Sequence, residues 1–371
     1  MQKKSIEKLS EIMYSRDFHF WLNLIRNNSK LNEEFFEDIL KILPQSKADA
    51  ISVMKAIRAG FEYGLDIEQI KLYAKPDFNY KQMIQIMYGL KNGLNNKQIC
   101  FYAKPEFDGI QMFEIRKGFE EGLSTKEISV YAKPEFWPDQ MDFLKSVFKE
   151  KNLTIDQVEL FADPRYGTAL MEKLCSALED GLTIEEVKEA KKFNMLKFDI
   201  YQIDMILFGY FEGLTTEQVK VYANPKFDPY QMGKIIEGFK SGLTEEQVKC
   251  YAKPEFNTLQ MDRICSGLEE GYLSVNQSDI YANTLFNESQ TAKVVDGYLN
   301  GLTTEQIKFY AKPKFDSEQM YQIRIGFENG LSLNDVMKFS NISKVEEMER
   351  VRTSLEKELF TEELAKLLHI N

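Results

Sequence analysis

Two histidines, His19 and His369, and four cysteines, Cys100, Cys175, Cys250 and Cys265, are all that this 371-residue chain offers for imidazole or thiol chemistry. The histidines stand near opposite ends of the sequence, a poor arrangement for a shared proton transfer. No cysteines form a Cys-x-x-Cys pair, and none has a histidine at zinc spacing. They read as buried, reduced thiols. The phosphate loop Gly-x-x-x-x-Gly-Lys-Ser/Thr, the nucleophile elbow Gly-x-Ser-x-Gly and the His-Glu-x-x-His pair are absent. Carboxylates abound, but pairs such as Glu245-Glu246 fall in the first turns of predicted helices, where they complement the helix dipole. The expectation is a chain that is not an enzyme, with no catalytic residue, no metal ligand and no cofactor.

Recognition is the chemistry that remains. A formal charge of −11 argues against a binder of nucleic-acid backbone, so nucleic acid is not an expected partner. Lys75, Lys104, Lys133, Lys253 and Lys312 recur at a near-fixed spacing, but Asp163, Asn224 and Asn283 interrupt the row. Each lysine follows a short helix, where a cation complements the dipole. A parallel acidic row, Glu62, Glu120, Glu179, Glu212, Glu269 and Glu328, is expected in solvent. Aromatics at varying positions, Tyr80, Tyr88, Phe113, Phe143, Tyr230, Tyr298 and Tyr321, are the residue types that protein interfaces favour. The segment 199–211 is apolar nearly all round: Tyr201, Met205 and Phe208 stand where other segments carry Lys81 and Gln85, or Ser289 and Lys293. A helix without a polar face must be covered. Either the insertion at 190–197 folds over it, or a partner does, with a homodimer through 199–211 as one form of that contact.

These residues sit on a repeat. Tyr-Ala-x-Pro-x-Phe begins at 73, 102, 131, 222, 251 and 310, with variants at Phe161 and Tyr281. The steps are 29 or 30 residues except for one of 32, and ten units start at 44, 73, 102, 131, 161, 193, 222, 251, 281 and 310, the first and sixth degenerate. The unit from Tyr222 shows why each should be two helices. Asp228, Pro229 and Gln231 make a cap, a first-turn proline and a capping-box partner, with Phe227 and Met232 as a hydrophobic staple. Met232, Ile235 and Phe239 share one helical face, and Gly242 can take the left-handed conformation that ends the helix. Thr244 and Gln247 cap the second helix, which Pro254 stops. Such helices are too short to stand alone, so units must stack. Glycines inside the first helix, from Gly89 to Gly326, suggest close backbone approach between helices.

The fold expected is all-α: a right-handed α-solenoid over 44–338, irregular at 147–198, where curvature should change. Residues 1–43 form an N-terminal helical cap (Ser5–Tyr14, Asp17–Asn27, Asn32–Leu43) with Trp21, Phe35 and Phe36 in its contacts. Residues 339–371 form a C-terminal cap with a charged helix at 344–352 and an amphipathic one at Thr361–His369. At packed-helix spacing, ten units would extend on the order of 90 Å. With no secretory signal and no apolar run long enough to span a bilayer, a cytoplasmic location and no membrane contact are expected.

The unit Tyr-Ala-x-Pro-x-Phe…Gln-Met…Gly-Leu-Thr-x-Glu-Gln-Val, over roughly 44–338, resembles repeats of uncharacterised bacterial proteins, some of them in mobile elements. The primary expectation is a non-catalytic protein–protein interaction scaffold that binds a partner along the solenoid. The alternative that the resemblance and the acidity imply is a mobile-element-encoded inhibitor of a host defence nuclease or another nucleic-acid-processing complex.

Overall fold

A computed structural model describes residues 19–21, 23–24 and 33–367, and all regular structure among them is helical. Helices of about three turns alternate with shorter ones: Tyr80–Lys91 precedes Asn96–Tyr102, and Pro229–Lys240 precedes Glu245–Tyr251. The chain forms two compact units, Met1–Ile184 and Glu185–Asn371. In the first, Lys47–Glu62, Tyr80–Lys91, Gly109–Glu120 and Pro138–Glu150 pack each on the next. In the second, the same holds from Ile200–Phe211 through Pro229–Lys240, Thr258–Glu269, Glu288–Leu299 and Ser317–Glu328 to Val345–Leu367.

Local chemistry sets the boundaries as expected. Asp228 accepts from the backbone N–H of Gln231 while the Gln231 side chain accepts from that of Asp228, with Pro229 in the first turn. Thr244 and Gln247 repeat the device. Gly242 has φ +93°, conformational freedom that a side chain would restrict. The second helix ends in an inverse γ-turn at Ala252 (φ −70°, ψ 69°), where the Lys253 N–H donates to the Tyr251 carbonyl at 2.7 Å.

Packing then uses the motif side chains. Tyr73, Tyr102, Tyr222, Tyr251 and Tyr310 are fully buried, and each hydroxyl donates to a carbonyl seventeen residues back at 3.1–3.5 Å. Each burial is worth roughly 1.5–3 kcal/mol. Reaching those carbonyls requires the glycine thirteen residues before the tyrosine. A Cβ at Gly60, Gly89, Gly209, Gly238 or Gly297 would stand 1.8–2.1 Å from the hydroxyl. These glycines therefore admit a tyrosine, not a neighbouring backbone; at Gly267 and Gly326 the near side chains are instead Leu273 and Phe339. Where the tyrosine is replaced by Ala190, the glycine is replaced by Ala177; where it is Phe161, Val147 takes the glycine's place.

A second device joins successive repeats. The amides of Gln82, Gln111, Gln140, Gln202 and Gln231 donate to two carbonyls of the next repeat's loop, at 3.0–3.1 Å for the proline and 2.5–2.8 Å for the aromatic. One buried side chain thus satisfies its own helix start and the following turn.

Several expectations change. The acidic row is not uniformly in solvent: Glu120 and Glu328 are half-buried and accept from Asn92 and Asn300 of the preceding repeat at 2.8 Å each. The two C-terminal helices are one, Val345–Leu367, because residues 353–360 contain neither glycine nor proline to interrupt it. As the absence of a glycine at 151 implies, helix Pro138–Glu150 ends on an extended Lys151 rather than on a left-handed glycine. At the N-terminal side, Glu33–Ile42 is helical, and Trp21 meets Phe36 and Phe61 edge-on at 6.1 and 5.9 Å. Helix Ser5–Tyr14, most of Asp17–Asn27 and His369 lie outside the described residues.

Candidate protein-binding groove

Two neighbouring helices of the second unit carry the most exposed aromatics at expected positions. Helix Ile200–Phe211 starts at Asp199, which accepts from the N–H groups of Tyr201 and Gln202; Asp228 caps Pro229–Lys240 by accepting from the N–H of Gln231. Because Gln202 and Gln231 must point inward to reach the next loop, the residue before each points out. Tyr201 is 68% exposed and Tyr230 79%. In the next repeat Leu259 holds the same place at 58%. A turn or two along the first helix, Met205 is half-buried, Phe208 is 40% exposed and Phe211 56%. The insertion at 190–197 does not cover them. It turns through Asn194 (φ +54°) into a short 3₁₀ turn and buries Met195 instead.

Between the two helices lies a groove of about 840 Å³, bounded by Tyr201, Met205, Pro229, Tyr230 and Gly233. Asp199, Asp204, Glu237 and Lys234 also border it, with Asp199 engaged as the helix cap. The Lys234 ammonium is engaged too: Glu237 at 2.7 Å and Asp262 at 2.9 Å hold it and push its pKa above the usual lysine range. Lys240 pairs with Glu212 at 2.6 Å and lies 5.8 Å from the centre of the Phe208 ring.

The other expected positions behave differently. Tyr88 and Phe113 stand 5.7 and 5.2 Å from the buried Arg116 guanidinium, so their faces are in use. Phe143 packs on Phe161 at 6.3 Å, and Tyr321 lies 5.5 Å from Arg324. Tyr298 is not a surface residue: it is buried edge-on against Tyr281 at 6.4 Å. Tyr80 is 39% exposed, in the first unit. Tyr201, Met205 and Tyr230 therefore come together on the groove, Phe208 follows on the same helix, and the remaining six do not join them.

Sequence reasoning missed Phe211, Leu259, Gly233 and Trp137. Phe211 lies where Lys91, Glu120, Lys240 and Glu269 stand in other repeats, and Leu259 where Lys81, Asp139 and Glu318 do. Trp137 occupies a helix cap that most repeats fill with Asp or Asn, and it makes no side-chain capping bond. That departure was readable in the repeat.

The thiols are Cys175, Cys250 and Cys265 in buried positions, and Cys100 exposed. Cys100 departs from the expectation because it lies on the outer side of a helix whose inward residues are Ile99 and Tyr102. Burial pushes the Cys175 and Cys265 thiols up, to about 11 and about 12, away from thiolate chemistry. His19 is exposed. Lys145 pairs with the buried Glu114 at 2.5 Å, across two adjacent helices. Of the lysine row, Lys253 donates to the Ala282 carbonyl of the next repeat at 2.6 Å.

No match emerges. No protein-family model and no curated protein matches the chain. Among the described residues, no helix is long and apolar enough to cross a membrane.

Proposed function

We propose that the chain is a non-catalytic scaffold: an α-solenoid of two-helix repeats that holds a partner protein against the outward faces of its longer helices in the second unit. The observation that carries this reading is the run of Tyr201, Tyr230 and Leu259, one exposed apolar side chain from each of three successive repeats, with the two tyrosines lining one groove. Large exposed aromatics on short-loop helices give contact area at little cost in side-chain entropy, as interface anchors do. The glutamine and tyrosine devices hold these helices in place, so the surface is pre-organised.

The test is capture from the native host with crosslinking, comparing the wild type with a Tyr201→Ser, Tyr230→Ser variant. The expected result is a discrete partner band lost in the variant, while thermal stability stays within about 0.5 kcal/mol, as for other surface changes. An unchanged capture profile contradicts the reading. Sedimentation of both proteins separates a second copy of the chain from a different partner. A narrower form, a mobile-element inhibitor of a nucleic-acid-processing enzyme, draws on the −11 charge. Its check is a plaque assay in a host that carries the nuclease, and absence of rescue counts against it.

A further inference from the structure

A polar link recurs between successive long helices and fails at one junction. A side chain on one helix accepts from a cation 30 or 31 residues ahead on the next. Gln85 accepts from Arg116 Nε at 3.2 Å, Glu114 from Lys145 at 2.5 Å and Gln322 from Arg352 Nε at 2.8 Å. All three cations are buried, where a charged donor needs such an acceptor. Arg324 is the fourth buried cation at this position, and the matching place on the preceding helix holds Lys293. An ammonium has donors and no acceptor. The Arg324 Nε–H accordingly finds no acceptor among the described residues, and Lys293 lies 5.1 Å from the centre of the Tyr321 ring. Asp296 stands 4.0 Å from Arg324 Nη2 and 3.8 Å from Arg263 as well. Nη1 is well served, at 2.6 Å, but by Glu328 on its own helix, which joins nothing to the preceding repeat.

The glutamine device thins at the same junction. Gln290 donates to the Phe315 carbonyl at 2.7 Å, but not to the proline carbonyl that Gln82, Gln111 and Gln231 also reach. Of the polar links between Glu288–Leu299 and Ser317–Glu328, the Asn300–Glu328 bond at 2.8 Å persists, and it is exposed. In a stack of repeats each interface adds its own share of stability, so the chain parts first where an interface is poorest. We propose that this junction is a conformational joint: Ser317–Glu328, Leu333–Phe339 and Val345–Leu367 come away from the stack as one body, hinged at residues 311–316. Tyr310 stays behind, because its hydroxyl is held by the Lys293 carbonyl on the near side. Lys293 is the residue that sets the joint, since an acceptor in its place would complete the link to Arg324. The joint does not depend on what the groove binds.

Hydrogen exchange on the intact chain, followed helix by helix by mass spectrometry, tests it. The slow amides of Ser317–Glu328 and of the stretch around Met348 and Arg352 should share one opening free energy, lower than that of Pro229–Lys240. Lys293→Gln should slow both about tenfold, the scale of one hydrogen bond to a charged group, and leave Pro229–Lys240 at its wild-type rate. Gln322→Lys should create the same fault one helix further on. The stretch around Met348 and Arg352 then exchanges about tenfold faster, by the same loss, while Ser317–Glu328 keeps its rate. Equal protection on the two sides of residues 311–316 in the wild type overturns the joint. So does early exchange that Lys293→Gln fails to slow, which is fraying from the chain's end, or slowing that extends equally to Pro229–Lys240.

Discussion

Tyr310 and Gly297 show how one residue dictates another thirteen positions away. The Tyr310 hydroxyl reaches the Lys293 carbonyl at 3.1 Å, through space that a Cβ on Gly297 would occupy at 2.1 Å from the oxygen. Gly297→Ala should therefore destabilise the protein by about 1–3 kcal/mol, as overpacking does. With the hydroxyl removed, the nearest ring carbon lies 3.4 Å from that Cβ, an ordinary contact. In a Tyr310→Phe background, which itself loses a hydrogen bond of about 1 kcal/mol, the alanine should be near neutral. Denaturant titration of the four proteins of this cycle should give a coupling energy above about 1 kcal/mol. Additive effects would refute the lock. The pairing of Ala177 with Ala190 is the same trade made within the chain.

Elements are positioned by contacts of two ranges, and only one range is visible in sequence. Caps, capping boxes and left-handed glycines act over about three residues, so Asp228, Gln231 and Gly242 announce their helices directly. The other half of each glutamine's work is not local: the Gln231 amide serves carbonyls 23 and 25 residues ahead. Gln231→Leu would keep the helix but strand two carbonyls and a capping N–H, costing about 2–3 kcal/mol. Gln319 accepts from its own cap residue Asp316 and shows no bond to a following loop. Gln319→Leu should cost only about 1 kcal/mol, the scale of a cap. Equal losses in the two variants, read from melting curves, would rule out the inter-repeat role. The same distinction explains the surface. Tyr88 and Tyr230 are the same residue type on equivalent helices, yet Arg116 from the next repeat lies over one and nothing equivalent covers the other. Exposure was therefore unreadable from residue type alone. The continuity of Val345–Leu367 was readable in the absence of helix breakers, but the charge pattern suggested two pieces.

At the scale of the molecule, the buried tyrosines link stability to alkaline pH. Burial raises the pKa of Tyr73, Tyr102, Tyr222 and Tyr310 well above the ordinary tyrosine value. The folded chain keeps these protons after the unfolded chain has lost them, near pH 10. Stability should therefore fall as pH rises past about 10, and Tyr310→Phe should flatten that slope by removing one such group. Tyrosinate absorbance that rises in full before unfolding would contradict the assignment. The functional account concentrates instead on one face of the second unit, where Tyr201 and Tyr230 line one groove. Its most direct measurement places a photo-crosslinking amino acid at position 230 and, separately, at position 63, an exposed tyrosine of the first unit. Irradiated in the native host, the chain labelled at 230 should yield one discrete adduct, and the chain labelled at 63 should not. No adduct from position 230, or the same adducts from both, would contradict binding through this groove.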